Sequence, residues 1–174
     1  MQHKTQTRLL KNVLLLNRIN TDLLKMNELV FEIVQPENST GKWIKGKARP
    51  VVLKKGYAFS PKSLFEKQVK AYAVAHKPPK WDKQGIFAVE IACYFAFLKK
   101  DTKDFIKDNS GGYYQKKPDL DNIAKGVLDS LNGIVWADDN AVCSLKIDKF
   151  YNCFKGEKEK IIIKVKRLDN NAKM

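Results

Sequence analysis

The stretch KPDLDNIAKGVLDSLNGIVWADD, running from Lys117 to Asp139, carries two aspartates one residue apart, Asp119 and Asp121, and a lysine four positions on, Lys125. A second acidic pair, Asp138 and Asp139, follows it. Carboxylate oxygens are the donors a hard divalent cation such as magnesium requires, with water and phosphate completing its shell. A cation so held lowers the pKa of a ligated water and stabilises a departing oxygen, chemistry that hydrolyses a phosphodiester without a covalent protein intermediate. An ammonium one helical turn away, Lys125, can donate to the phosphate or steady the nucleophile. A plainer reading competes at each position: Asp119 as a helix N-cap, Asp121 answering the helix dipole, Lys125 pairing with Asp121 or Asp129. It leaves Asp138 and Asp139 without a role, in a chain with 33 basic and only 19 acidic side chains.

These residues must be positioned by their neighbours. Leu120, Ile123, Ala124, Val127, Leu128 and Leu131 recur at the i, i+3, i+4, i+7 spacing of a helix packed on a sheet. Asp121, Lys125 and Asp129, spaced by four, share an adjoining face, and Asn132-Gly133 ends the helix. Beyond it, Cys143, Leu145 and Ile147 alternate in one strand and Ile161, Ile163 and Val165 in another, with a turn over 152–158. Upstream, Leu29, Phe31 and Ile33 share a face of a first strand that Pro36 ends. Lysines and Arg49 then alternate with Trp43 and Tyr57, a composition suited to phosphate contact and base stacking. A helix is predicted to begin at Ser60 as cap with Pro61 in its first turn and to reach His76, with Leu64, Phe65, Gln68, Val69, Tyr72 and Ala73 inward. The nearly unbroken apolar run from Ile86 to Leu98 predicts a central strand covered on both faces. From Lys99 to Lys117 no apolar period appears, which predicts a long loop whose lysines grip a backbone and whose Tyr113 and Tyr114 stack on bases.

The net charge of +14 over 174 residues favours a polyanionic partner. One domain over 26–168 is expected, with a basic extension at 1–25 and a tail at 169–174. Cys93, Cys143 and Cys153 are odd in number and lack metal spacing, so they read as buried thiols in a reducing cytosol. No apolar run approaches the ~20 residues of a membrane span, and the Val13–Leu16 run lacks a cleavage site, so a cytoplasmic location is expected. No glycine-rich phosphate cradle is present, which counts against a nucleotide-dependent transferase that uses D-x-D and against a small-molecule substrate.

The combination of D-x-D-N-x-x-K with D-D at this separation closely resembles the signature of the RusA family of Holliday-junction resolvases. Strong similarity covers about 116–150, and the element order is similar across about 27–167. The resemblance implies an α+β fold, a mixed β-sheet with one or two helices packed on it, in a homodimer. It implies a magnesium-dependent endodeoxyribonuclease, manganese being a possible substitute, that nicks opposed strands of a four-way DNA junction. The family's metal-binding aspartates fall on Asp119 and Asp121, its essential lysine on Lys125 and its distal catalytic aspartate on Asp139, also a metal ligand. Lys47 and Arg49 match its early basic segment, and with Lys116 and Lys117 they are the expected DNA contacts. The second arginine of that segment is Val51 here. The competing reading is a non-catalytic junction-binding or architectural protein.

Overall fold

Apolar side chains at alternate positions build the sheet, and those at helical spacing cover one of its faces. In the computed structural model the described residues are 27–37, 39, 42–45, 51–52, 58–59, 63–78 and 81–168. In chain order they form β1 (Glu28–Val34), β2 (Val51–Val52), β3 (Ala58–Phe59), α1 (Leu64–His76), β4 (Ile86–Phe95), α2 (Lys103–Asn109), α3 (Leu120–Leu131), a 3-10 turn (Asp139–Ala141), β5 (Val142–Tyr151) and β6 (Lys160–Leu168). The expectations for 1–25, for Lys47, Arg49, Tyr57, Ser60 and Pro61, and for the tail at 169–174 lie outside the described residues.

The main sheet has the order β1-β6-β4-β5, with β6 antiparallel to both neighbours and β5 parallel to β4. Parallel neighbours require a crossover connection, and here it is the segment that carries α2 and α3. Leu29, Phe31 and Ile33 of β1, Phe87, Val89 and Ile91 of β4, and Ile161, Ile163 and Val165 of β6 form a buried face. Helix α1 covers it over β1, α3 covers it over β5, and the two helices pack on each other. The fold is therefore α+β with a mixed four-stranded sheet, and three helices stand among the described residues where one or two were expected. Among these residues no helix is long and apolar enough to cross a membrane.

Several local expectations are corrected. Helix α1 starts at Leu64, where Ser63 accepts from the Glu66 N–H and Glu66 bonds back to the Ser63 N–H, a reciprocal capping box. Phe65, Val69 and Ala73 of α1 are buried as predicted, while Leu64 and Tyr72 are exposed. Strand β4 stops at Phe95, and its second face is only half-buried, carrying exposed Glu90 and a depression of about 260 Å³ lined by residues including Tyr94, Phe150 and Ile162. The predicted loop contains α2, whose N-cap Thr102 accepts from the Phe105 N–H at 3.2 Å. The loop before it is tied to the β5–β6 turn, as Lys155 Nζ donates to the carbonyls of Lys99 (3.2 Å) and Asp101 (3.1 Å). Cys93 is buried, whereas Cys143 and Cys153 are exposed.

A buried carboxylate joins the basic segment 42–45 to the sheet. Glu159 Oε2 accepts from the backbone N–H groups of Trp43 (2.7 Å) and Ile44 (2.8 Å). Trp43, expected to be available for base stacking, is buried edge-on against Phe65 with its indole donating to Gln68. Burial raises the Glu159 pKa above the ordinary 4.5, against the pull of the two N–H bonds and of Lys42 and Lys45. Glu159→Ala, which leaves two N–H groups unpaired, is expected to lower unfolding stability by about 2–4 kcal/mol in a urea titration. Glu159→Gln, which keeps an oxygen for both N–H groups, should cost about 1 kcal/mol or less. Since folding raises this pKa, the folded state binds the proton more tightly than the unfolded one. The stability contribution is therefore greatest below pH 4.5 and falls as pH rises through the folded pKa. A plot of wild-type minus Glu159→Gln stability against pH should slope downward across that window.

Candidate active site

Ile123, Val127 and Leu131 of α3 are fully buried, which fixes the helix against the sheet and leaves its polar side outward. Asp119 holds the N-cap position with extended backbone, φ −73° and ψ 151°, yet its carboxylate makes no capping hydrogen bond. The capping explanation for this residue therefore fails. Asp121 lies exposed in the first turn, with Asn122 Nδ2 a distant 3.5 Å from its Oδ1. Lys125 is exposed one turn further on, and Leu120, predicted to face the core, is 40% exposed.

The far end of α3 is set by tryptophans. Gly133 takes φ +74°, the left-handed conformation that glycine adopts without penalty, and its N–H donates to the Trp136 carbonyl at 2.8 Å. Trp136 is fully buried, donates through Nε1 to Asn132 Oδ1 at 2.6 Å and packs on Phe87. Trp81 Nε1 donates to the Val135 carbonyl and Lys83 Nζ to that of Gly133, each at 2.7 Å. This anchored turn presents Asp138 and Asp139 to solvent. Asp138 caps the 3-10 turn, its Oδ1 accepting from the Asn140 N–H at 3.3 Å. The pKa of Asp139 is raised first by a hydrogen bond with Asp138, then by burial and by the charges of Asp138 and Asp129.

The acidic groups acting on Asp139 are thus Asp138 and Asp129, while Asp119 acts on Lys149. Among the described residues of one chain, no three His, Cys, Asp or Glu side chains gather as a metal site requires. Asp119 and Asp121 have the oxygen chemistry for a hard cation. Asp119, Asp121 and Asp139 form no such three-carboxylate group among the described residues.

The turn leading into Asp119 is crowded with lysines. Lys116 Nζ lies over the rings of Phe105 (5.1 Å) and Tyr151 (5.8 Å), and the Lys117 carbonyl accepts from Lys42 Nζ at 2.7 Å. Lys149 Nζ donates to the carbonyls of Lys116 and Pro118, both at 2.8 Å. Tyr114, expected to stack on bases, is buried against Phe95 with ring centroids 4.1 Å apart, and burial pushes its phenol up to about 12. Tyr113 is 70% exposed. Lys149 escaped the sequence reading, although it occupies an inward position in the alternation Leu145, Ile147, Lys149, Tyr151. A charged residue at such a position was the available signal.

The capping assignments make a paired prediction for thermal unfolding. Ser63→Ala removes a formed cap and should cost about 1 kcal/mol. Asp119→Ala removes a carboxylate that caps nothing and should cost about half as much or less, from its interactions with the helix dipole and the Lys149 charge.

Comparison with known proteins bears on the same residues. A curated relative, the uncharacterized protein YqaN of Bacillus subtilis (strain 168), is 53% identical over 36 residues, 21% of this chain and 25% of that protein. The match thus spans a quarter of the relative's length. The family model described as Endodeoxyribonuclease RusA matches residues 43–166, from the Glu159-bound segment through α3 and both aspartate pairs into β6. With most of its length inside that match, the chain belongs to the RusA endodeoxyribonuclease family.

Proposed function

We propose that this protein is a magnesium-dependent, structure-specific endodeoxyribonuclease that resolves Holliday junctions by paired nicking of opposed strands, in DNA recombination and repair. The observation that carries the reading is the Asp119–Asp121 pair at the entrance of α3, its first carboxylate not engaged in capping, within a RusA family member of strongly positive charge. A cytoplasmic location and a homodimeric state belong to the same proposal. A junction offers two strands to be cut symmetrically, and an isologous dimer presents one site to each.

In this reading Asp119, Asp121 and Asp139 are the ligands of the ion, magnesium or in its place manganese. When bound, the ion supplies an activated water and neutralises charge on the phosphate. Lys125, exposed beside the entrance pair, is assigned to donate to the scissile phosphate. Lys47, Arg49, Lys116 and Lys117 are assigned to the DNA backbone, which makes affinity fall as salt rises.

A second reading is a junction-binding protein without catalysis, whose acidic residues serve folding. One gel separates the two. Wild-type protein with a synthetic four-way junction and magnesium is expected to give paired nicks that chelation abolishes. Asp119→Asn, Asp121→Asn and Lys125→Ala should each slow cleavage about a hundredfold or more while retaining junction binding in calcium. Tight binding by the wild type with no product in magnesium or manganese would decide for the architectural reading.

A further inference from the structure

Three consecutive main-chain carbonyls lead into Asp119, and two ammonium groups are bonded to them. Lys149 takes those of Lys116 and Pro118, and Lys42 takes that of Lys117 between them. Both ammoniums also lie over the ring of Tyr114, Lys149 at 5.7 Å and Lys42 at 5.3 Å from its centroid. That ring is fixed by its stacking on Phe95 and by an edge contact with Tyr151, and the Tyr114 N–H donates to the Lys149 carbonyl at 2.9 Å. Lys42 is held in turn from the sheet, since its neighbours Trp43 and Ile44 are bonded to buried Glu159.

Lysine is an unusual choice on the inward side of β5, between Ile147 and Tyr151. A partly buried ammonium loses hydration and must find acceptors, and charge-assisted bonds to carbonyls are stronger than neutral ones. Burial lowers the Lys149 pKa and the charge of Asp119 opposes this, so the carboxylate stands close enough to act on it. We propose that Lys149 is a positioning residue: by bonding the carbonyls of Lys116 and Pro118, with Lys42 on the carbonyl between, it fixes the turn that sets Asp119 at the helix entrance. This rests on the nuclease reading above and extends it to two lysines that sequence and charge alone would assign to DNA. The consequence for cleavage is geometric, because a small displacement of a catalytic group is enough to slow a reaction severely.

The test uses the full chain with Lys149→Met, which keeps the length of the side chain but cannot donate, and Lys149→Arg, which can. Peptide-level hydrogen exchange reads the start of α3, whose Ile123 N–H donates to the Asp119 carbonyl at 3.2 Å. In Lys149→Met, exchange over 123–127 should accelerate about tenfold or more with β1 and β6 unchanged, and Lys149→Arg should restore most of the protection. Lys42→Met should loosen the same residues with Lys149 still in place, so the result does not hang on one variant. Cleavage of saturating four-way junction by Lys149→Met is expected to fall about thirtyfold or more. Its junction affinity in calcium should stay within about threefold, with the salt dependence of a protein that has lost no phosphate contact. Unaltered exchange over 123–127, or wild-type cleavage by Lys149→Met, would overturn the proposal. If the wild type cuts no junction, the nuclease reading fails and the exchange measurement alone still decides whether Lys149 holds the turn.

Discussion

Withdrawal of Ile123, Val127 and Leu131 from water is the contact on which the candidate site depends. Each such side chain contributes about 1.5–3 kcal/mol when fully buried. All three lie on one stripe of α3, so the gain is realised only with the helix in a single rotational setting against the sheet and α1. That setting turns Asp121 and Lys125 outward, and it fixes where each end of the helix must be secured.

The two ends are secured by different chemistry. At the far end, Trp136 and Trp81 bury large apolar surfaces while their indole N–H groups find an amide oxygen and a carbonyl, so the turn carrying the second acidic pair hangs from the core. At the near end, few apolar groups are available to the turn over 116–118, and cationic side chains from two other parts of the chain take its carbonyls. The first arrangement is rigid through packing. The second is held through electrostatics, in a region that the proposed function assigns to the DNA backbone.

Much of this was legible in the residues and some was not, for identifiable reasons. The 3.6-residue period of α3, the two-residue period of β1 and β6 and the apolar run of β4 mark these elements directly, and the fold class follows from them. The D-x-D-N-x-x-K and D-D spacing resembles the family's signature, and the family match covers those residues. Helix α2 escaped because its seven residues bury no side chain fully and so carry no period, leaving only Thr102 as a start signal. Trp43 and Tyr114 were misassigned because an aromatic beside lysines has the same composition in a stacking platform and in a core whose rings are covered by ammoniums.

Lys42, Lys83, Lys149 and Lys155 each direct the ammonium at main-chain oxygen within the same molecule. Counting basic side chains therefore overstates how many counterions this surface can release. Lysine-specific reagents face an uneven surface as well: dimethylation would preserve every positive charge and leave one N–H on each ammonium, so Lys149 and Lys155, each bonded to two carbonyls, would each lose a tie while the isoelectric character stayed the same.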